Sequence, residues 1–337
     1  MGLITVHGRS WVWPSDTNVQ PSRSSGGLTF AVLADPQLGF YPQPPVDYQE
    51  ELRRLNTAGV NMETYSPQFL VVLGDLVQIL PDDDKNQEER NRKIHDAVRT
   101  FPARIPVFVL CGNHDVGNAP TEESLRQYQE LWGDDYYAFD IQKTRCIILN
   151  SCVFFDSTNV PAYAEKQLRW LELQLEEAVA QKKIPLLFMH HPIYWDDWEE
   201  PDDLGPLYVQ ALKLTSSKSY FHLPRKWRDP LRALIQRYKV RYSFHGHLHD
   251  NRVVTTQNPM FEQVVTSAIG YPLGDAGAGY RIVTVKDGEN QVEHRFIELF
   301  PNSLINAGRK EATDRAENRN NGTLREWTAR KDQAENM

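Results

Sequence analysis

The stretch PVFVLCGNHD (residues 106–115) joins a short apolar run to a glycine, an amide, an imidazole and a carboxylate. A run of this length, rich in β-branched and aromatic residues, is typical of a buried strand. Asn113 and His114 therefore stand just beyond the point where the strand ends. Because ligands bind at the carboxyl ends of strands in open α/β sheets, the stretch predicts functional side chains at a sheet edge.

Four other apolar runs are followed by residues of the same kinds. They are LTFAVLA (28–34) before Asp35, FLVVL (69–73) before Gly74 and Asp75, PLLFM (185–189) before His190, and RYSF (241–244) before His245, Gly246 and His247. One such residue alone is weak evidence, since an Asp after a strand is often a helix cap and a lone His usually has a structural role. Five at equivalent positions predict one shared site.

Helix candidates lie between the apolar runs, at residues 87–100, 164–182 and 229–239. The second places Leu168, Leu171, Leu175 and Val179 on one face. The third begins with Asp229 and Pro230, a pair that favours a helix start. After His249 come four strand-like segments, VVTT, QVVTSA, YRIVTV and QVEHRFIEL. The sequence predicts an α/β fold with two packed, mostly mixed β-sheets flanked by helices.

The ends of the chain differ in composition from its middle. Residues 14–27 are rich in Pro, Ser and Gly, so residues 1–27 are predicted to form a flexible lead-in. Residues 302–337 combine many charges with few large apolar side chains, which predicts a charged, disordered tail. The domain between them is expected to span residues 28–301.

The formal charge of the 337-residue chain is −8, with 37 Lys and Arg against 45 Asp and Glu. This balance argues against nucleic acid as a partner, because binding to the phosphate backbone needs concentrated basic residues. No apolar run reaches the ~18 residues of a membrane span, so no membrane partner is expected. The three cysteines are a sparse, odd set, typical of thiols in a reducing compartment. With no secretory signal at the start, a cytoplasmic location is expected.

The residue types at the strand ends suit two divalent metal ions. Two cations about 3.5–4 Å apart need a shared ligand, and a carboxylate such as Asp75 can bridge them. Neutral imidazoles and an amide oxygen can complete both sets without repelling a phosphate. Gly74, Gly112 and Gly246 allow sharp turns and close approach to an anion. We therefore expect metal-dependent hydrolysis of a phosphate ester.

Five motifs occur along the chain: DPQ (35–37), GDLV (74–77), GNHD (112–115), HHP (190–192) and GHLH (246–249). In kind and order they resemble D-x-H, G-D, G-N-H-[DE], H and G-H-x-H of the calcineurin-like metallophosphoesterases. The resemblance spans roughly residues 28–300. Four stretches, at 112–121, 132–139, 149–151 and 266–274, are similar to one branch, the calcineurin-like phosphoesterase domain-containing proteins, which are cytosolic serine/threonine phosphatases.

The resemblance implies two metal ions that share one carboxylate. The residues that match the first set are Asp35, Gln37, Asp75 and His249. Those that match the second are Asp75, Asn113, His190 and His247. The ions would be Mn, Fe, Zn or Mg, and the sequence does not select among them.

The resemblance also implies roles outside the ligand set. His114 matches the acid that protonates the departing oxygen, and Asn113 and His191 are candidates for contact with the substrate phosphate. The motifs HGH and GHLH overlap, so His245 is an alternative ligand if the alignment is shifted.

Two departures from the family pattern bear on function. Gln37 replaces the usual His of D-x-H, which predicts a more loosely held first metal. Gln78 and Ile79 stand where phosphoprotein phosphatases carry the Asp and Arg of G-D-x-V-D-R-G, so the chain is not a close relative of those enzymes.

The favoured substrates are phosphoserine and phosphothreonine in proteins, with small phosphoesters as further candidates. A phosphodiesterase is the alternative enzyme, because the same two-metal centre serves both reactions. A non-catalytic scaffold is a third interpretation, against which the acid His114 argues. The oligomeric state is not predicted.

The segment YWDDWEEPDD (194–203) places six carboxylates just after His190. It is either a solvated loop or an acidic rim that favours basic peptides near the site.

Overall fold

The computed structural model describes residues 5–7, 27–40, 48–102, 105–209, 212, 214–286 and 291–301. The predicted tail (302–337) and most of the predicted lead-in (1–27) lie outside the described residues, so both boundaries stay predictions. Within the lead-in, Thr5–His7 form a strand that pairs with residues 138–140. In the part of the chain that the structure describes, no helix is long and apolar enough to cross a membrane.

Strands and helices alternate through the first two thirds of the chain, and strands alone close it. The strands are β1 (Thr5–His7), β2 (Leu28–Leu33), β3 (Leu70–Val72), β4 (Val107–Val109), β5 (Tyr137–Ile141), β6 (Thr144–Ile148), β7 (Ile184–Phe188), β8 (Pro206–Val209), β9 (Leu214–Ser217), β10 (Tyr242–His245), β11 (Arg252–Gln257), β12 (Met260–Val265), β13 (Ala278–Val285) and β14 (Val292–Phe300). The α-helices are α1 (Gln49–Met62), α2 (Gln87–Arg99), α3 (Asn113–Val116), α4 (Glu122–Trp132), α5 (Cys152–Phe155), α6 (Pro161–Ala180) and α7 (Arg225–Tyr238). Short 3-10 turns lie at Glu63–Tyr65, Asp84–Asn86 and Lys218–Phe221. Each apolar run that predicted a strand forms one.

Two mixed sheets carry the fold. The five-stranded sheet has the order β14-β13-β2-β3-β4, in which β2, β3 and β4 are parallel. The seven-stranded sheet has the order β1-β5-β6-β7-β10-β12-β11, in which β6, β7, β10 and β12 are parallel. Strands β8 and β9 form a separate hairpin. The predicted α/β fold with two mixed sheets is confirmed.

Aromatic side chains hold the two sheets face to face. Phe30 of β2 stacks on Phe69 with ring centroids 4.8 Å apart. It also meets Phe188 of β7 and Phe244 of β10 at 5.8 Å and 5.9 Å. All four rings are fully buried. Because burying one such ring stabilises the fold by ~1.5–3 kcal/mol, the cluster fixes the carboxyl ends of β2 and β3 beside those of β7 and β10.

Helices cover the outer faces of both sheets. Apolar residues of α1 and α2 pack on the five-stranded sheet, and those of α6 and α7 pack on the other side of the molecule. In α6, Leu171 and Leu175 are buried as predicted, but Val179 is 55 % exposed. Ala178 is buried there in place of Val179, so the predicted buried face is wrong at the C-terminal end of the helix.

Helix α7 begins at Arg225, four residues before the predicted start, and Pro230 lies inside it. Pro lacks the N–H that would complete the helical ladder at this position. The first turn forms nevertheless, because Trp227 and Arg228 are buried there and Arg228 pairs with Glu200 at 3.3 Å. Tertiary contacts therefore decide where this helix starts.

Candidate metal centre

Five strand ends bring the predicted residues together at one edge of the packed sheets. From the five-stranded sheet come Asp35 and Gln37 after β2, Asp75 after β3, and Asn113 and His114 after β4. From the seven-stranded sheet come His190 and His191 after β7, and His247 and His249 after β10. All of these residues except His114 are buried. Oxygen-bearing groups from one sheet thus meet imidazoles from the other.

The loops at this edge hold five of these residues in left-handed backbone. The φ angles are 48° at Asp35, 39° at Gln37, 52° at Asp75, 63° at His247 and 54° at His249. Non-glycine residues seldom adopt this conformation, and those that do cluster at functional sites. The loops after β2 and β3 are joined through the Gln37 N–H, which donates to the Asp75 carbonyl at 2.8 Å.

Two glycines allow neighbouring loops to close over the carboxylates. A Cβ added at Gly112 would lie 2.1 Å from Oδ1 of Asp75. One added at Gly246 would lie 2.5 Å from Oδ2 of Asp35. Any side chain at these positions would therefore displace a carboxylate, whereas the predicted close approach to a bound anion stays a prediction.

The hydrogen bonds of His190 show that the centre requires a cation. Its Nδ1 lies 2.7 Å from the Leu73 carbonyl and must donate to it, which leaves Nε2 as an acceptor. Yet Nε2 faces Oδ2 of Asp75 at 3.2 Å and Oδ1 of Asn113 at 3.1 Å. Three buried acceptors meet only around a positive charge, either a proton or a metal ion. Burial acts to lower the pKa of His190, but Asp75 and Asp35 outweigh it and raise the pKa to about 10.

His247 and His249 have one ring nitrogen fixed by a backbone carbonyl. His249 donates from Nδ1 to the Tyr271 carbonyl at 2.6 Å, so its Nε2 is an acceptor 3.5 Å from Asp35 Oδ1. His247 donates from Nε2 to the Tyr220 carbonyl at 2.9 Å. Burial lowers the pKa of His247 to about 3 and that of His249 to about 4, so both rings are neutral. Metal-ligating histidines have this arrangement.

The donor atoms fit divalent cations. Ligand atoms of Asp75, His190 and His247 lie within 4.8 Å of one another. Burial raises the pKa of Asp35. In Asp75 burial acts the same way, but His190 and His114 outweigh it and hold the pKa below its usual range. Two buried carboxylates and neutral imidazoles are the usual donors for such ions.

Gln37 adds an oxygen to this set. Its Nε2 donates to Oε1 of Gln78 at 2.9 Å, whereas its own Oε1 is buried without a hydrogen-bond partner. A buried carbonyl oxygen that lacks a donor is unfavourable unless a cation satisfies it. The residue that departs from the D-x-H pattern therefore still offers a ligand atom.

His114 lies at the rim of the centre and is partly exposed. Its backbone N–H donates to Asp75 Oδ1 at 2.8 Å, and its ring Nδ1 donates to the Gln78 carbonyl at 2.7 Å. The backbone carbonyl of Gln78 thus orients this imidazole. Nε2 is the nitrogen left for chemistry.

Two histidines predicted for the site, His245 and His191, differ in their surroundings from His190, His247 and His249. Both ring nitrogens of His245 are engaged, with the His191 carbonyl at 2.8 Å and Ser243 Oγ at 2.6 Å. His245 therefore has no nitrogen free for a metal. His191 stacks on Phe155, is fully buried and does not line the cavity at the centre, and its contact with phosphate stays a prediction.

Sequence reasoning missed Tyr220, which lies in the 3-10 turn before α7. Its hydroxyl donates to Oδ1 of Asn118 and accepts from Nδ2 of Asn113, both at 3.2 Å. This bond turns the Asn113 oxygen toward His190, while the Tyr220 carbonyl fixes His247. Tyr220 and Phe221 also line a cavity of about 170 Å³ together with His114. No periodicity or motif marks this turn in the sequence.

The acidic segment 194–203 is anchored rather than free. Glu200 accepts from the backbone N–H groups of Asp196 and Asp197, and it pairs with the buried Arg228. Asp196 pairs with Arg252. Tyr194 and Trp198 are buried, so the segment packs against the domain. Much of its charge is therefore compensated by arginines.

Comparisons with known proteins point to one group. The family model described as calcineurin-like phosphoesterase matches residues 28–251. Serine/threonine-protein phosphatase CPPED1 of Danio rerio is 33% identical over 286 residues, which are 82% of this chain and 86% of that protein. CPPED1 of Homo sapiens is 29% identical over 289 residues, with 82% and 86% covered. The matched range contains all five strand ends.

A solved structure of a dimetal phosphatase from Danio rerio superposes with a TM-score of 0.55 at 15% identity. The superposition covers 81% of this chain and 96% of that one. At this identity the likeness shows the fold, which agrees with the two packed sheets.

Proposed function

Because the chain belongs to the calcineurin-like phosphoesterase family, we propose that it is a two-metal phosphomonoesterase acting on phosphoserine and phosphothreonine in proteins. The family and the phosphatases similar to it establish the coarser activity, which is hydrolysis of phosphoesters with divalent metal ions. The observation that carries the proposal is the meeting of His190 Nε2, the Asp75 carboxylate and the Asn113 oxygen in a buried space.

We assign the donors to two ions as the motifs imply. One set is Asp35, Gln37, Asp75 and His249, and the other is Asp75, Asn113, His190 and His247. When bound, the ions would activate water and neutralise charge on the phosphoryl oxygens. The chain's own contribution is to hold the donors, through the carbonyls of Leu73, Tyr220 and Tyr271, in the orientation that binding requires.

His114 is the proposed general acid. Because its Nδ1 is held by the Gln78 carbonyl, a proton delivered to a departing oxygen would come from Nε2. Such a proton matters most for a serine or threonine alkoxide, which is a poor leaving group. The exposure of His114 at the cavity wall supports this role. Asn113 is a candidate for phosphate contact, since Tyr220 engages one N–H of its amide group and the second N–H would donate to a phosphate oxygen.

The experiment that tests the proposal is steady-state kinetics on monoesters and diesters, with metal content measured on the same preparation. We expect phosphoserine peptides to be turned over with higher kcat/KM than bis-nitrophenyl phosphate. The reverse order would favour the phosphodiesterase alternative. A metal-loaded protein without turnover of either would favour the scaffold.

We also propose a cytoplasmic location. The three cysteines support it, since all are free, buried thiols. Fractionation of cells expressing the tagged protein tests this proposal, and recovery in a secretory compartment would contradict it.

A further inference from the structure

A second cavity lies beside the metal cavity. Its volume is about 390 Å³, against about 170 Å³ for the cavity at the metal centre. The two share three lining residues, Val209, Phe221 and Leu273, and no proposed metal ligand lines the second cavity. The two cavities are therefore neighbours that share a wall of apolar side chains.

The floor of the second cavity is tied to the ligand loop. Leu248, between His247 and His249, is 8% exposed and forms an apolar cluster with Phe221 and Val265. Trp195 and Leu207 pack against this cluster from the cavity walls. An occupant would therefore be held in fixed relation to the ligands.

The charges around the cavity disfavour a second phosphate. Arg252 is the one basic residue that lines its described part. Its guanidinium lies over the Trp195 ring at 4.8 Å and pairs with Asp196. Asp250 and Asp275 also line the space, and they would repel an anion. Most of the other lining residues are apolar or aromatic, and such a lining suits an uncharged apolar side chain.

We propose that this cavity is a subsite for a bulky apolar side chain close in sequence to the phosphorylated residue of a polypeptide substrate. The inference rests on the proposed phosphoprotein activity. An extended chain advances ~3.3 Å per residue. The side chains one or two residues from the phosphorylated residue are therefore the ones that would reach the neighbouring cavity. Nitrophenyl phosphate has no group that extends there.

A difference of one methylene in an apolar substrate pocket is typically worth ~10–200-fold in kcat/KM. The test uses metal-loaded full-length protein and phosphoserine peptides with alanine at all flanking positions. In a matched series, Leu, Phe or Trp replaces alanine at each of the two positions on either side. We expect at least one bulky peptide to exceed the all-alanine peptide by roughly tenfold.

Two variants change the cavity in opposite ways. Leu207→Trp fills it and Trp195→Ala removes a wall, and both are expected to bring the bulky-to-alanine ratio close to one. The control is Trp170→Ala on α6, which truncates a partly buried tryptophan on the far side of the seven-stranded sheet. It should keep the wild-type ratio.

Equal kcat/KM for all peptides in the wild type would overturn the subsite and leave the proposed function intact. A ratio unchanged in both cavity variants would overturn its assignment to this cavity. Turnover of nitrophenyl phosphate without turnover of any phosphopeptide would overturn the proposed function and the subsite with it.

Discussion

The five-stranded sheet supplies the centre with oxygen atoms, whereas the seven-stranded sheet supplies it with imidazole nitrogens. The carboxylates on the oxygen side are arranged by contacts among the loops of their own sheet. Asp115 Oδ2 accepts from the backbone N–H groups of Asp75 and Gly112 at 2.7 Å and 2.8 Å, and the loops after β2 and β3 bond to each other.

The imidazole side is arranged by elements outside the strand ends that carry the histidines. His190 donates to Leu73 on the opposite sheet, and His247 donates to the 3-10 turn at Tyr220. From this difference we expect the carboxylates to decide whether metals bind, and the contacts with other elements to tune how tightly the histidines hold them. Variants on the two sides of the centre can test that division.

The largest effect is expected for Asp75→Ala, because this carboxylate is the proposed shared ligand. The variant should lose both metal ions and fall to background activity, whereas His190→Ala should lose one. Elemental analysis of the purified variants measures this. Full metal occupancy in Asp75→Ala would contradict the two-metal assignment.

The next largest effect is expected for His114, whose backbone N–H donates to Asp75 on the oxygen side. His114→Asn should keep both metals and lose ~10²–10⁴-fold activity on phosphoserine peptides, the range typical of a general acid. It should lose much less on nitrophenyl phosphate, whose leaving group scarcely needs a proton. Parallel losses across a series of leaving groups would mean that His114 positions the substrate instead.

A smaller effect is expected for Tyr220→Phe, because the Tyr220 hydroxyl supports the proposed ligand Asn113 on the oxygen side. Without its hydroxyl, the Asn113 amide loses the bond that fixes its orientation. Partners of this kind typically contribute ~10–100-fold in metal affinity. Titration with a chelator should show weaker binding of one ion only, while Tyr136→Phe, away from the centre, serves as the control. Equal metal affinities for the two variants would show that the Tyr220 hydroxyl does not support the metal site.

The smallest effect is expected from the acidic segment. Changing Asp196, Asp197, Asp202 and Asp203 to Asn should weaken turnover of basic phosphopeptides only a few-fold, since arginines already pair with part of this charge. The loss should shrink as salt rises and should spare nitrophenyl phosphate. Equal losses on both substrates at every ionic strength would rule out a role in association.

Residues that come directly after a strand were predictable from the sequence. Asp35, Asp75 and Asn113 belong to this group because parallel strands deliver their next residues to one edge, and the carboxyl ends of both sheets meet there. Tyr220 was not predictable, because its bond to Asn113 joins residues 107 positions apart. The start of α7 was missed for a similar reason, since burial of Arg228 beside Glu200 outweighs the local preference of Pro230. The local sequence pattern thus predicts the proposed ligands, whereas the residues that hold those ligands in place depend on tertiary contacts.

The left-handed backbone of Asp35, Gln37, Asp75, His247 and His249 has a consequence for evolution. An L-residue in this conformation costs the folded state ~1–2 kcal/mol relative to glycine. Five of them approach the whole stability of a typical domain, which is ~5–15 kcal/mol. Selection for heat resistance alone would therefore favour glycine at the very positions proposed to hold the metals. A thermostability screen of this protein should therefore also select for turnover, because the most stable variants would otherwise be inactive.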